Sequence, residues 1–330
     1  MVPLVSVIVP AYNAAPWIAE TLESVVLQTH DRLEVIVVDD GSTDDTVERV
    51  QSFGRRVRLI RQRNLGIGAA RNTGFRLATG DYVALLDHDD VWLRDKLRTQ
   101  LVVAARHAES GLVVCDGEQF DGDRILTPHL LPALVRDALA ASVEGEITGD
   151  VFGPLVRQNL IGCPAQTLIP RPVVQRVGPM ITIRAEPSDY DYYLRIAARY
   201  PVTFHAHSLV RWRYLPSSRS GPAERRDLVW ALMRVSTLTR HLRRGTIGRR
   251  DEIAPALKAL TGRTAQAAYY YGKSHDAAAA RSHLRALVRT GPTSAVAMAY
   301  LAALCLPEPL VRGLRRLGRL LPGFRRLRVP

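Results

Sequence analysis

The 330-residue chain is 47% hydrophobic, enough for a sizeable core in one large domain or two smaller ones. No apolar run is long enough to span a bilayer. Cys115, Cys163 and Cys305 form neither a CxxC pair nor a zinc pattern, which argues against a membrane span, a disulfide scaffold and a zinc domain and points to a reduced, cytosolic compartment. The net charge of +13 belongs to the C-terminal third: residues 221–330 carry 21 Lys+Arg against 6 Asp+Glu (45 − 21 and 32 − 6 leave 24 against 26 before them).

The opening MVPLVSVIVPAYN reads as a first strand, not a signal peptide. Then APWIAETLESVVLQ predicts a helix, LEVIVVDD a strand, DDTVERVQSF a helix and VRLIRQ a short strand. IGAARNTGFRLA predicts a helix, DYVALLD a strand, VWLRDKLRTQLVVAARHA a helix and LVVCDGEQF a strand. Strands of continuous Val, Ile and Leu alternating with helices predict an α/β fold, a doubly wound, mostly parallel sheet buried on both faces. Ser42 or Thr43 in GSTDDT is placed as a helix N-cap. Residues 116–220, rich in Pro and Gly, are expected to be loops and short helices on the sheet's C-terminal edge. After Pro222 the periodicity turns helical over 224–244, 250–260, 264–271 and 275–288. The domains are therefore set at 1–220 and 221–330.

Chemistry concentrates at strand ends. LLDHDD places Asp87, Asp89 and Asp90 together after a strand, where ligands bind in α/β sheets. Carboxylates that close raise one another's pKa unless a cation intervenes, and Mg²⁺ or Mn²⁺ takes such oxygens together with a substrate's phosphates. Asp39 and Asp40 end the second strand, where a carboxylate accepts from a base N–H or a ribose hydroxyl, or simply caps the next helix. In RNLGIGAARNTG, Gly66 and Gly68 permit close backbone approach and Arg71 can meet a base or pyrophosphate. Asp189 and Asp191 lie at a helix start in AEPSDYDYYLRIA, as caps or as a general base. His88 is a poor metal candidate between two aspartates, and His205 and His207, alternating as on a strand in FHAHSLVRW, read as satisfied structural histidines in preference to a face that meets the acceptor or diphosphate.

SVIVPAYN, VVDDGSTDDT, LGIGAARNTG, LDHDD and SDYDYYLR, in this order, resemble the family 2 glycosyltransferases of GT-A fold over residues 4–220. The resemblance implies that Asp40 contacts the nucleotide base, that Pro10 to Tyr12 line its pocket and that Arg71 lies near the nucleotide. It implies that Asp87 and Asp89 hold Mn²⁺ or Mg²⁺ on the diphosphate, and that Asp189 is the base of an inverting transfer from a nucleotide-sugar donor, UDP-sugar favoured, to a glycan or lipid-linked acceptor. Residues 159–171 resemble the acceptor-side segment. Ser188 replaces a Glu frequent in the family. Asp39, Asp90 and Asp191 remain additional candidates. A sugar nucleotidyltransferase is disfavoured because PAYNAAPW lacks the Gly-rich loop of that class. A degenerate transferase domain tethering a basic module is the non-enzymatic alternative. Leucines alternating with arginines in 309–330 predict a basic amphipathic helix, interrupted near Pro322, that either lies on an anionic membrane surface at the cytoplasmic face or packs its leucines on the domain or in a dimer with the arginines solvated; with Phe324 its lone aromatic, nucleic acid is an unlikely partner.

Overall fold

The computed structural model describes residues 2–183, 186–216, 223–274, 277–290 and 294–305. Two compact units divide the chain, residues 1–218 and 219–330. In the first, β1 (Val5–Ala11), β2 (Leu33–Asp39), β3 (Arg58–Arg61) and β4 (Tyr82–Leu85) are parallel. Helices α1 (Ile18–Val26), α2 (Thr46–Gln51) and α3 (Ile67–Leu77) connect them. Every residue of β1 is buried. Val5, Val7 and Val9 join one core cluster with Ile18, Leu22 and Val25 of α1, while Ile8 faces α3, where a Cβ on Gly74 would stand 2.3 Å from Ile8 Cγ2. A strand covered on both faces needs apolar residues at successive positions, which is why β1 and β2 lack alternation.

Several sequence expectations change here. Val91 and Trp92, placed in a helix, form β5 (Val91–Trp92), antiparallel to Val210 and Arg211, and α4 (Lys96–Arg106) starts later. The Trp92 indole donates to the Ala165 carbonyl at 3.0 Å, so tertiary contacts hold that pair extended. After β6 (Leu112–Asp121), the segment expected as loops and short helices supplies four strands: β7 (Arg124–Thr127), β8 (Glu146–Gly149), β9 (Thr167–Pro170) and β10 (Val202–Arg213). The short ones, such as TLIP, are too brief for period-2 alternation to register. The sheet runs β3-β2-β1-β4-β9-β6-β10-β5, with β7 on β6 and β8 on β10. β9 is antiparallel to both neighbours, β4 and β6. Helices α5 (Ala133–Ala140), α6 (Phe152–Arg157), α7 (Arg171–Val177) and α8 (Ser188–Ala197) complete this unit.

The second unit consists, among the described residues, of α9 (Ala223–Arg244), α10 (Arg250–Ser274), α11 (Ala277–Thr290) and α12 (Ser294–Cys305). The two helices expected over 250–260 and 264–271 are one: α10 runs through Thr261 and Gly262, since a single glycine costs a helix only about 1 kcal/mol against alanine, and the hydroxyls of Thr261 and Thr264 donate to the carbonyls of Leu257 and Leu260 one turn back. Its core includes Ile253, Leu257, Tyr269, Leu284 and Leu287. No helix among the described residues is long and apolar enough to cross a membrane. The amphipathic helix expected over 309–330 lies outside the described residues.

Candidate active site

Because β1, β2 and β4 are parallel, their C-terminal ends share one edge, and the motif residues follow those ends. Asn13, at φ +48°, turns the chain after β1. Its side-chain oxygen accepts from Thr43 N at 2.9 Å and its own amide donates to Ser42 Oγ at 2.9 Å. Ser42 therefore ties two strand-end loops together and is not the expected helix cap; α2 begins only at Thr46, with Asp45 at its N-cap position.

Asp40 is buried and its carboxylate is heavily used. Oδ1 accepts from Gln62 Nε2 at 2.7 Å and Leu65 N at 2.9 Å, and Oδ2 from Gly66 N at 2.7 Å. Asp39, also buried, accepts from Ser42 N at 3.1 Å and pairs with Arg61 at 3.3 Å. Pro10 is buried and its carbonyl accepts from His88 Nδ1 at 3.2 Å, while Tyr12 is exposed. His88 is thus turned toward β1, as its flanking aspartates led one to expect.

The structure brings Arg71, Asp87 and Asp189 together. Arg71 is buried; Nη2 donates to Asp87 Oδ1 at 2.6 Å and Nη1 to Ser188 Oγ at 3.4 Å, while Nε has no hydrogen-bond partner. Burial works to lower the Arg71 pKa, but the carboxylates of Asp87 and Asp189 hold it above its ordinary value. Asp189, in the first turn of α8, accepts from Tyr190 N at 2.8 Å. Burial raises its pKa, with Arg71 opposing and Asp87 adding to the rise. Asp191, by contrast, is spent on Arg195, 2.9 Å away, whose guanidinium also donates to the carbonyls of Val177 and Pro179. That pair fixes α8 to the end of α7. Tyr193, on α8, buries its hydroxyl close enough to sense both Asp189 and Arg71.

In the Asp87–Asp90 loop, burial raises the pKa of Asp89, with Asp87 adding to it against His88. Asp90 lies well above the carboxylate range through burial and its acidic neighbours, and Asp90 Oδ2 is buried without a partner. All these donors are oxygens, and their excess negative charge is what a hard divalent cation relieves. Among the described residues no group of three or more His, Cys, Asp or Glu converges to hold a metal unaided. Asp87 and Asp89 fit the arrangement in which a substrate's phosphates complete the coordination.

Sequence reasoning missed Arg213, which reaches this loop from β10, and Thr21 of α1, whose hydroxyl is shared between the carbonyls of His88 and Asp90, each at 2.9 Å. The signal for Arg213 was its place in VRWRY, an arginine among aromatics near a strand end. His205 departs from expectation: it is buried, with neither ring nitrogen hydrogen-bonded, and burial lowers its pKa to about 3.

Residues 6–153 match the model of the family described as Glycosyl transferase family 2. The chain is 46% identical over 170 residues to the putative teichuronic acid biosynthesis glycosyltransferase TuaG of Bacillus subtilis (strain 168), covering 47% of this chain and 68% of that protein. It is 28% identical over 211 residues to an uncharacterized glycosyltransferase of Rickettsia prowazekii (strain Madrid E), covering 64% of each. Across five Rickettsia relatives the chain spans 16% to 64% of their length. In structure it is similar to S. aureus TarS 1-349 in complex with UDP-GlcNAc, with TM-score 0.66, 14% identity and coverage of 95% of this chain and 92% of that one. It is also similar to the mannosyltransferase PcManGT from Pyrobaculum calidifontis in complex with GDP-Man and Mn2+, with TM-score 0.55, 24% identity and coverage of 95% and 83%. The fold is that of the GT-A glycosyltransferases. The chain belongs to glycosyl transferase family 2.

Proposed function

We propose that the protein is an inverting glycosyltransferase that moves a sugar from a nucleotide-diphosphate donor, a UDP-sugar in preference, to a hydroxyl of a glycan or lipid-linked acceptor in cell-surface polysaccharide synthesis. The observation that carries this reading is Arg71, buried between Asp87 and Asp189. It joins the carboxylate suited to the donor's diphosphate to the one suited to the acceptor. TuaG's name supports the polysaccharide class, and the UDP-GlcNAc, GDP-Man and Mn2+ in the similar structures support the donor class.

Asp87 and Asp89 would hold Mn²⁺ or Mg²⁺. When bound, the cation supplies Lewis-acid neutralisation of the charge that develops on the leaving diphosphate. Arg71 adds a fixed positive charge on the same side. Asp189 takes the proton from the acceptor hydroxyl as its oxygen attacks the anomeric carbon. Its raised pKa makes it a stronger base than an ordinary aspartate. Attack opposite the leaving group turns an α-linked donor into a β-linked product. Asp40 would act on the base pocket by fixing the 62–66 loop, through the three hydrogen bonds it accepts. Residues 309–330 are proposed to contact an anionic membrane, a contact that pelleting with anionic liposomes before and after their deletion would test.

Calorimetric titration of UDP and GDP with and without Mn²⁺, on wild type and Asp89→Ala, tests the core of the reading. Metal-dependent binding of one nucleotide, lost in the variant, is the expected result. Wild-type protein that binds neither nucleotide would overturn it.

A further inference from the structure

We propose that Arg213 is a positioning residue that sets the direction of Asp87 and Asp89 by gripping the backbone of their loop from β10. The proposal rests on reading that loop as the cation and diphosphate site. Arg213 is buried and lies 124 residues from the loop in sequence. Its Nε donates to the Asp89 carbonyl at 2.9 Å and its backbone amide donates to Asp90 Oδ1 at 3.1 Å. Its guanidinium carbon stands 4.6 Å from the Trp17 ring centroid and 4.5 Å from that of Phe120, and Nη2 pairs with Glu20.

Besides the loop, these contacts come from two separate elements, α1 with the turn before it and β6, and Arg213 itself is the last residue of β10. Together with Thr21, which takes the carbonyls of His88 and Asp90, they draw the loop's main-chain oxygens inward toward α1 and β10. His88 Nδ1 on the Pro10 carbonyl adds a further tie. With the carbonyls of His88, Asp89 and Asp90 engaged on one side and that of Asp87 closed onto Asp90 N at 3.2 Å, the loop has few ways left to place its carboxylates. Ligand orientation in metal sites is set in this way by the groups behind the ligands, and losing one such partner typically costs 10–100-fold in metal affinity. Arginine is required because one planar fork must donate along its edge and stack on rings across its faces, which an ammonium cannot do together.

The test compares Arg213→Lys, Glu20→Gln and Arg211→Lys with wild type. Arg211 is the control: it lies over the same Phe120 ring at 4.3 Å, but its side chain pairs with Glu118 and its backbone pairs with Val91 of β5, a pairing that a lysine side chain leaves in place. Two readouts are taken. The first is amide hydrogen exchange of the peptide over residues 86–93 without metal. The second is the Mn²⁺ concentration giving half-maximal UDP binding. Arg213→Lys should speed exchange in that peptide alone and raise the Mn²⁺ midpoint about tenfold. Glu20→Gln, at an exposed position that folding tolerates, should move both in the same direction by less, and Arg211→Lys should move neither. Unchanged loop exchange in both Arg213→Lys and Glu20→Gln would overturn the proposal. So would an unchanged Mn²⁺ midpoint, or exchange that rises uniformly across the sheet. If the wild type shows no metal-dependent nucleotide binding while loop exchange still rises in Arg213→Lys, the transferase reading fails and the grip on the loop stands.

Discussion

A methyl group at Gly68 would sit 2.2 Å from the Ile181 carbonyl oxygen and 3.4 Å from Ser188 Cβ. The glycine is therefore needed where α3 meets the segment leading into α8, and not for a left-handed backbone. Relieving the clash requires roughly 1 Å of displacement before the oxygen returns to van der Waals distance. Alanine's better helix propensity, about 1 kcal/mol, favours α3 and leaves the clash in place. The same methyl stands against Ser188 Cβ, so the shift falls beside the proposed base and on the Arg71–Ser188 contact. A misplacement of about 1 Å at a reacting group costs on the order of 100-fold in rate. Gly68→Ala should therefore lower kcat about 100-fold in a single-turnover transfer assay, with nucleotide affinity close to wild type because Asp40, Asp87 and Asp89 are untouched. A kcat within twofold of wild type would refute the argument that this close approach positions Asp189.

Asp40→Asn replaces an acceptor of three hydrogen bonds with a group whose amide must face a donor, and should cost about 1–3 kcal/mol in chemical denaturation while weakening nucleotide binding. Asp189→Asn should lower the rate by about 10²–10⁴-fold and leave the nucleotide Kd near wild type, as calorimetry would show. In wild type the rate falls as pH drops through the raised Asp189 pKa. Arg71→Gln removes the positive charge that opposes that rise, so the acid limb of its residual kcat/KM should move to higher pH. Lys96 is fully buried over the Trp92 ring at 3.9 Å, donates to the Thr167 carbonyl at 3.2 Å, and has its pKa lowered by burial to about 7. Between that value and the unfolded pKa of 10.5 the unfolded chain binds more protons, so stability should rise with pH, by on the order of 1 kcal/mol per unit. Lys96→Met should flatten that rise in melting curves taken from pH 7 to 10.

The first strands were legible because a strand covered on both faces needs a run of successive apolar residues, and β1 and β2 carry VIVPA and VIVV. The motif carboxylates were legible for a related reason: strand ends on a parallel sheet are where ligand groups gather, so Asp87 and Asp40 announced themselves by position. β9 was not legible, because TLIP is four residues ending in a proline; of β10 only the strand-like alternation of His205 and His207 showed, and the irregular pairing with β6 hid the rest. The partners of Asp40 and the grip of Arg213 were hidden for a different reason. They are tertiary contacts of side chains whose local sequence says only "loop" or "strand". Asp191 shows the converse: its motif position suggested chemistry, and its Arg195 partner gives it a structural task.

β9 lies at the middle of the sheet yet is among the last pieces of it to be made. As the chain leaves a ribosome, β1 to β4 and β6 are complete before residue 167 exists, and β4 and β6 each present an open edge until β9 slides between them. Open edges of apolar strands invite pairing with other chains. The nascent protein must therefore hold a half-built sheet through some fifty residues of further synthesis, on the order of seconds at typical elongation rates. A fragment ending at residue 153, where the family match stops, would stay in that state and should aggregate; one reaching through Arg213 closes the sheet.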